Sequence, residues 1–431
     1  MNIAQNTNAA KCPFGAKTVE LDTMEGVKTA LRSRAAFGDA DVSSNNYLDP
    51  TEVGTINSEE FLIGILPMIN GDPHRARRGL LNALVRPDQL VRFREDVVLP
   101  SVDRWLGRAL VRGEDGSFSC DLAPVVEKVF LEFAAKIIGL RDIESVERME
   151  RLQACALPIF AGMSSGHFQD RERIIREAIS AKEIFLREFY RPSFEAMRGD
   201  LDRVARGEMA EEDIPRNLLQ MVATGANENY ADEDLAVKEA ILFFVASTGT
   251  SAQAVLNTIA DLSNWFTAHP KDRELIDSME FMSNALQETL RLKGPFVPYI
   301  TRVASDEIPG PNGCPINAGD EIHAMLPTAG RDKTVFGEDA DVFNPHRPKP
   351  DGYDRYGFSF GAGAHQCMGL RVVLGNDGKS GSHIHLLQRL FQADVKLDPR
   401  QTPQLLAMRG ADNIPTYISF PIILSDWSAG R

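Results

Sequence analysis

Residues 358–369 read FSFGAGAHQCMG, which sets Phe360, Gly361, Gly363, His365, Cys367 and Gly369 at fixed offsets around one cysteine. Glycines at this density permit a tight bend and close backbone approach, so that exposed N–H groups can point at a sulfur. A thiolate that serves as a ligand needs such donors. The other cysteines, Cys12, Cys120, Cys155 and Cys314, are widely scattered and read as small hydrophobes. Zinc suits Cys367 poorly, because no second cysteine or histidine pair stands at finger spacing.

Upstream, Glu288-Thr289-Leu290-Arg291 closes a helical pattern with Glu and Arg at i, i+3, where they share a face and can pair. Gly294-Pro295, an extended stretch reaching Arg302, and then Phe343-Asn344-Pro345-His346-Arg347 follow it. Glu288, Arg291 and Arg347 fit a buried charge network, which is costly unless its members pair. Nearer the N-terminus, His74 and Arg78 stand at i, i+4 and could grip a carboxylate. Arg75 and Arg77, rotated about 100° from them, are expected on flanking surfaces.

Helical spacing recurs over Asp72–Arg86, Ala123–Leu140, Asp170–Met197 and Asp232–His269, and strand signals fall late, at Val297–Val303, Glu321–Met325 and Tyr417–Leu424. This predicts a mainly α body with small sheets at its edge. The stretch from Asp232, a plausible N-cap, to Pro270 would be roughly 57 Å long as a helix. Its middle, Leu242-Phe243-Phe244-Val245-Ala246-Ser247-Thr248-Gly249-Thr250-Ser251, runs an apolar segment into hydroxyls and a glycine, and on residue type alone predicts a kinked core helix.

Hydrophobic residues at 43% and charged residues at 25% of 431 place the chain among ordinary globular proteins. Its 47 Lys and Arg against 61 Asp and Glu give a net charge of −14, whose field would repel a nucleic-acid backbone. No run approaches the roughly 18 apolar residues of a membrane span, and the N-terminus lacks a signal pattern. An odd number of scattered cysteines argues for a reducing compartment. The expectation is a cytoplasmic protein with neither nucleic-acid nor membrane partner.

With these motifs assembled, the sequence resembles the cytochrome P450 family from about residue 70 to the C-terminus. The resemblance implies one mostly α, roughly triangular domain spanning 1–431 with small β-sheets, residues 1–20 forming a flexible arm. It implies haem b with Cys367 as the proximal iron ligand and Phe360, Gly361 and Gly369 framing it. His74, Arg78, Arg302 and His365 look like the family's haem-propionate contacts, and Glu288, Arg291 and Arg347 like its structural charge network. Thr250 matches the threonine that delivers protons, with Ser251 and Gly249 beside it. Helical geometry then puts Ala246, Val245 and Leu242 on or near the haem-facing side. By family position Phe61–Ile69, Leu157–Phe168 and Phe296-Val297-Pro298 look like walls of a substrate pocket.

The sequence departs from the family at Gly249, where an acid commonly precedes the threonine, and at Gly375–Gly381, glycine-rich where a helix usually continues. The spacing there does not match a phosphate-binding loop, and a broken helix or surface excursion is expected. The implied activity is a monooxygenase that inserts one atom of O2 into a small or medium apolar organic substrate. Electrons would come from NAD(P)H through a separate ferredoxin and ferredoxin reductase. Peroxide-driven or non-oxygenase chemistry on the same haem, and a gas sensor or carrier, remain the alternatives.

Overall fold

Asp232 opens the longest element of the structure by accepting the backbone N–H of Asp234 at 3.0 Å, and the helix then runs from Glu233 to Ala268. Where residue type predicts a kink, the helix continues. Thr248 and Thr250 donate their hydroxyls to the carbonyls of Phe244 and Ala246, at 2.6 and 2.7 Å, so these groups bond along the helix instead of interrupting it. By length and composition this helix could cross a membrane, yet 61% of its most apolar window is buried inside the fold. It is the axis of the core.

This computed structural model describes residues 18–33, 58–165, 170–294, 299–406 and 414–427. Leu122–Ile138, capped by Asp121 and ended by Gly139 in the left-handed region, packs along the long helix and buries Phe130 and Phe133. The helix predicted over 170–197 is divided: Arg171–Phe185 passes through a π-helical turn, Leu186–Tyr190, into Arg191–Ala205. Pro192 explains the change, since it has no N–H to donate to the preceding turn. The segment read as one helix over 72–86 is α-helical from Gly71 to Leu81 and tightens to a 3-10 turn at Asn82–Val85.

Among the described residues, three small sheets lie outside this body. Ile300–Val303, Glu321–Ala324 and Thr18–Leu21 form the first, with Arg302 opposite Ile322 and Thr18 opposite Glu321. Thr18–Leu21 corrects the expected N-terminal arm: its last residues are a paired strand, because Leu21 buries against the core of that sheet. Residues 1–17 lie outside the described residues. The predicted Tyr417–Leu424 strand is two strands in two sheets, Tyr417–Ser419 against Gln404–Leu405 and Pro421–Leu424 against Phe118–Asp121. Between them Phe420 is buried and gives its N–H to Asp121 at 2.7 Å.

Behind the cysteine the chain forms two short helices, Leu370–Leu374 and Ser382–Gln392, parted by the glycine-rich segment as expected. Arg94 and Ser283 hold that segment by donating to the carbonyls of Ser380 and Gly378, at 2.7 and 2.6 Å. One residue into the second helix, His383 is fully buried and stacked on Phe130 with ring centroids 4.5 Å apart. Neither ring nitrogen has a hydrogen-bond partner among the described residues, and burial pushes its pKa down to about 3.

An unfolded chain protonates His383 near pH ~6.5, which the folded protein resists, so the contribution is full above that pH and is lost as pH falls toward 3. The loss is at most about 1.4 kcal/mol per pH unit. His383→Leu is expected to raise stability and flatten this slope. Urea unfolding at several pH values checks it, and an unchanged slope would place the acid sensitivity elsewhere.

Candidate functional site

The cysteine loop is built by its own backbone. Gly361 N–H donates to Phe358 O at 2.7 Å and Cys367 N–H to Phe360 O at 2.8 Å, which closes the bend. Gly361 and Gly363 adopt φ of 64° and 68°, and a Cβ on Gly363 would stand 3.0 Å from Leu31 O. Only glycine meets both demands there. Gly369 N–H donates to Cys367 Sγ at 3.3 Å. The sulfur is exposed to a cavity of about 230 Å³. Burial pushes the Cys367 thiol up, while the Gly369 N–H, the Arg78 guanidinium and the Leu370 N–H favour the thiolate.

The long helix forms the wall facing the sulfur, with Leu242, Phe243, Ala246, Ser247, Thr250 and Ser251 on the cavity. Leu242, Ala246 and Thr250 also border a larger cavity of about 830 Å³, which Val245 and Gly249 line as well. Leu62, Leu157, Phe160, Met163 and Ile418 give the larger cavity its apolar character. Thr248 is buried and spends its hydroxyl on Phe244.

One edge of the smaller cavity is cationic and imidazole-rich. His74 and Arg78 both line it from the helix Gly71–Leu81, and His365 stacks on His74 with centroids 4.1 Å apart. His365 Nε2 pairs with Asn70 Oδ1 at 2.8 Å. Burial first, and Arg78 next, push His74 down to about 4; burial, then His74 and Arg302, push His365 down to about 3. Arg302 lies buried on its strand and donates to Thr301 O at 2.7 Å.

Glu288 is wholly buried, and its carboxylate takes Arg291 at 2.7 and 2.8 Å and Arg347 at 2.9 Å. Arg347 in turn reaches Phe336 O, Asp339 and Val342 O, and Arg291 reaches Ala340 O. The predicted network is therefore assembled, and Ser359 joins it to the cysteine loop by donating to Leu290 O at 2.5 Å.

The comparisons with known proteins agree with this geometry. The cytochrome P450 family profile matches residues 267–373, from the end of the long helix through the cysteine loop. The chain is 25% identical over 247 residues to the biotin biosynthesis cytochrome P450 of Bacillus subtilis, covering 54% of this chain and 59% of that one. It is 31% identical over 177 residues to the 20-oxo-5-O-mycaminosyltylactone 23-monooxygenase of Streptomyces fradiae, covering 41% and 39%. The matches thus span less than two thirds of these relatives' lengths. The structure of P450BioI with a hexadec-9Z-enoic acid ligated acyl carrier protein superposes with a TM-score of 0.69 at 17% identity, over 94% of this chain and 92% of that one.

Residues 267–373 match the cytochrome P450 family, and the fold is that of cytochrome P450 structures.

Residues of this chain fit the haem-thiolate cofactor of the family. His74 Nε2 is buried with no hydrogen-bond partner among the described residues, at the edge where a carboxylate would meet it. Cys367 offers one soft donor with backbone N–H support, and Phe133, Ile137, Phe360, Met368, Val372 and Val373 make an apolar slot.

The structure corrects two expectations and leaves one aside. Arg77 does not reach a flanking surface: it is 4% exposed and paired with Glu239 at 3.1 Å, because the long helix passes beside that face. Of the predicted pocket wall, Phe296, Val297, Pro298 and residues 166–169 lie outside the described residues. Phe61 is core, whereas Leu62 borders the larger cavity and Leu66 and Pro67 the smaller. Sequence reasoning missed Glu239, which helix arithmetic could have found, since eleven residues before Thr250 is within about 20° of the same face. It also missed Leu406, Thr416 and Tyr417, whose place on the cavity depends on a distant hairpin.

Removing one member of a buried ion network leaves uncompensated charge. Glu288→Ala is expected to cost about 3–5 kcal/mol, read as a lowered denaturation midpoint. A loss below about 1 kcal/mol, the range of exposed pairs, would show the network to be dispensable.

Proposed function

We propose that this chain is a cytochrome P450, a haem-thiolate monooxygenase with haem b, acting as one domain over 1–431 in the cytoplasm. It inserts one oxygen atom from O2 into a small or medium apolar organic substrate, with electrons from NAD(P)H passed by a separate ferredoxin and its reductase. The observation that carries this reading is Cys367 Sγ, held by the Gly369 N–H and opening on a cavity whose opposite wall bears Ala246 and Thr250. The 23-monooxygenase activity named for the Streptomyces relative supports the reaction class.

Bound haem, held through Cys367, would supply the activation of O2. The chain's residues do the rest. His74, Arg78 and His365 line the edge that would meet the haem carboxylates, and Arg302, buried beside His365, would support it. Leu242, Val245, Leu157 and Phe160 offer the apolar surface that seats the substrate. Thr250 donates its proton to Ala246 O, which leaves its oxygen lone pairs open to a proton-bearing group in the cavity. Gly249 offers no acid there. A Cβ on it would meet nothing within 4 Å, so the position has room for one.

Purified protein is expected to bind haem and, reduced under carbon monoxide, to absorb near the wavelength that names the family. Cys367→His should move that band to the imidazole-ligated position, and an unchanged spectrum would mean that another residue binds iron. Product formed per NAD(P)H should fall several-fold in Thr250→Ala and rise in Gly249→Glu. Turnover with peroxide and none with NAD(P)H and a ferredoxin system would replace the oxygenase reading by its peroxide-driven alternative.

A further inference from the structure

Glu239 is wholly buried on the long helix, three turns before Thr250, and it lines the same cavity as Cys367. Its Oε1 accepts Leu66 N–H at 2.9 Å and Arg77 at 3.1 Å. Its Oε2 is buried with no hydrogen-bond partner among the described residues, as are Arg77 Nε and the Tyr230 hydroxyl. The Arg77 guanidinium lies 5.9 Å from the centre of the Tyr230 ring. Three unsatisfied polar groups in one place are uncommon, since buried polar atoms are ordinarily paired.

The charged and titratable groups around Glu239 come from three directions. The helix Gly71–Leu81 brings His74, Arg77 and Arg78, the turn Glu228–Ala231 brings Tyr230, and the cysteine loop brings His365 and Cys367. Leu122–Ile138 presents only Phe133 and Ile137 to the cavity, and the 3-10 turn Leu66–Met68 presents Leu66 and Pro67. Burial pushes the Glu239 carboxyl up to about 7, with Arg77 pulling the other way. His74 and His365 are held well below neutrality, and the arginines are already protonated. Glu239 is therefore the carboxyl placed to change charge near neutral pH.

Adding an electron to a buried cofactor adds a negative charge where water cannot screen it, and the cost falls if a proton enters with it. We propose that Glu239 is the proton-accepting group coupled to haem reduction. When a one-electron donor such as a reduced ferredoxin or dithionite converts ferric to ferrous iron, one solvent proton binds the Glu239 carboxylate. The cavity then gains an electron and a proton together, and its net charge is unchanged. This rests on the haem reading above. It also stores an acid on the Thr250 face of the long helix, whose adjacent position, Gly249, has none.

The test is a spectroelectrochemical titration of the haem-loaded protein across roughly pH 6–8. The reduction equilibrium should fall with rising pH by as much as tenfold per unit, about 59 mV for one electron. Glu239→Gln, which keeps an acceptor for Leu66 N–H, should flatten the dependence. Reduced-minus-oxidised infrared spectra should show a carboxylic acid carbonyl band that this variant lacks. Arg77→Gln removes the cation that favours the carboxylate, so it should move the window to higher pH, and it serves if Glu239→Gln fails to take up haem. A flat parent, a slope that survives Glu239→Gln, or an Arg77→Gln window that does not move overturns the coupling while the carbon monoxide band leaves the functional reading standing. A protein that binds no haem overturns the functional reading and the coupling with it.

Discussion

A carboxylate with no exposure to water, Glu288, accepts hydrogen bonds from two guanidinium groups, and the cysteine loop is positioned through it. Each of the three charges would be expensive to bury alone. Together they are satisfied, and the satisfaction requires that three stretches meet: the helix Met279–Lys293, the turns that supply the Phe336, Asp339, Ala340 and Val342 acceptors, and the segment ending at Arg347. Ser359 then ties the start of the cysteine loop to Leu290 on that helix. The thiol is thus held by a chain of obligatory polar contacts, whereas the wall it faces is held by apolar packing around the long helix. The network restricts where the loop can sit, and the slot between loop and helix follows.

Much of this was legible in sequence because it depends on local chemistry. Gly361, Gly363, Cys367 and Gly369 announce a bend around a sulfur, and the observed N–H to Sγ contact is the consequence. The long helix was legible from Asp232 to His269 in its bounds, since a cap and a proline enclose apolar residues at helical spacing. The glycine-rich break after Leu374 was legible for the same reason.

What escaped was settled by neighbours far along the chain. Arg77 reads as a surface cation by its angle from His74, and it is buried only because Glu239, 162 residues on, lies against it. The long helix is not interrupted at Thr248 to Thr250, because hydroxyls that compete with the backbone in an isolated peptide can also bond to carbonyls one turn back. Tyr417–Leu424 is apolar enough for one strand, but Phe420 is drawn into the core and Asp121 takes its N–H, which turns the chain from one sheet to another. Residue type alone carries none of these distances.

The glycines of the site separate what the fold demands from what the chemistry leaves open. At Gly363 a side chain would press on Leu31 O while φ is positive, and at Gly381 a Cβ would fall 2.0 Å from Val373 O, so packing excludes other residues. Gly249 meets neither condition: its φ is not in the left-handed region, and the space around it is open. In a helix interior such a glycine costs about 1 kcal/mol relative to alanine, with no packing requirement to offset it. The lack of an acid beside Thr250 therefore does not follow from the architecture. The fold leaves the proton supply of that wall to whatever else lines the cavity, and on the same face of the same helix the buried carboxyl group is Glu239.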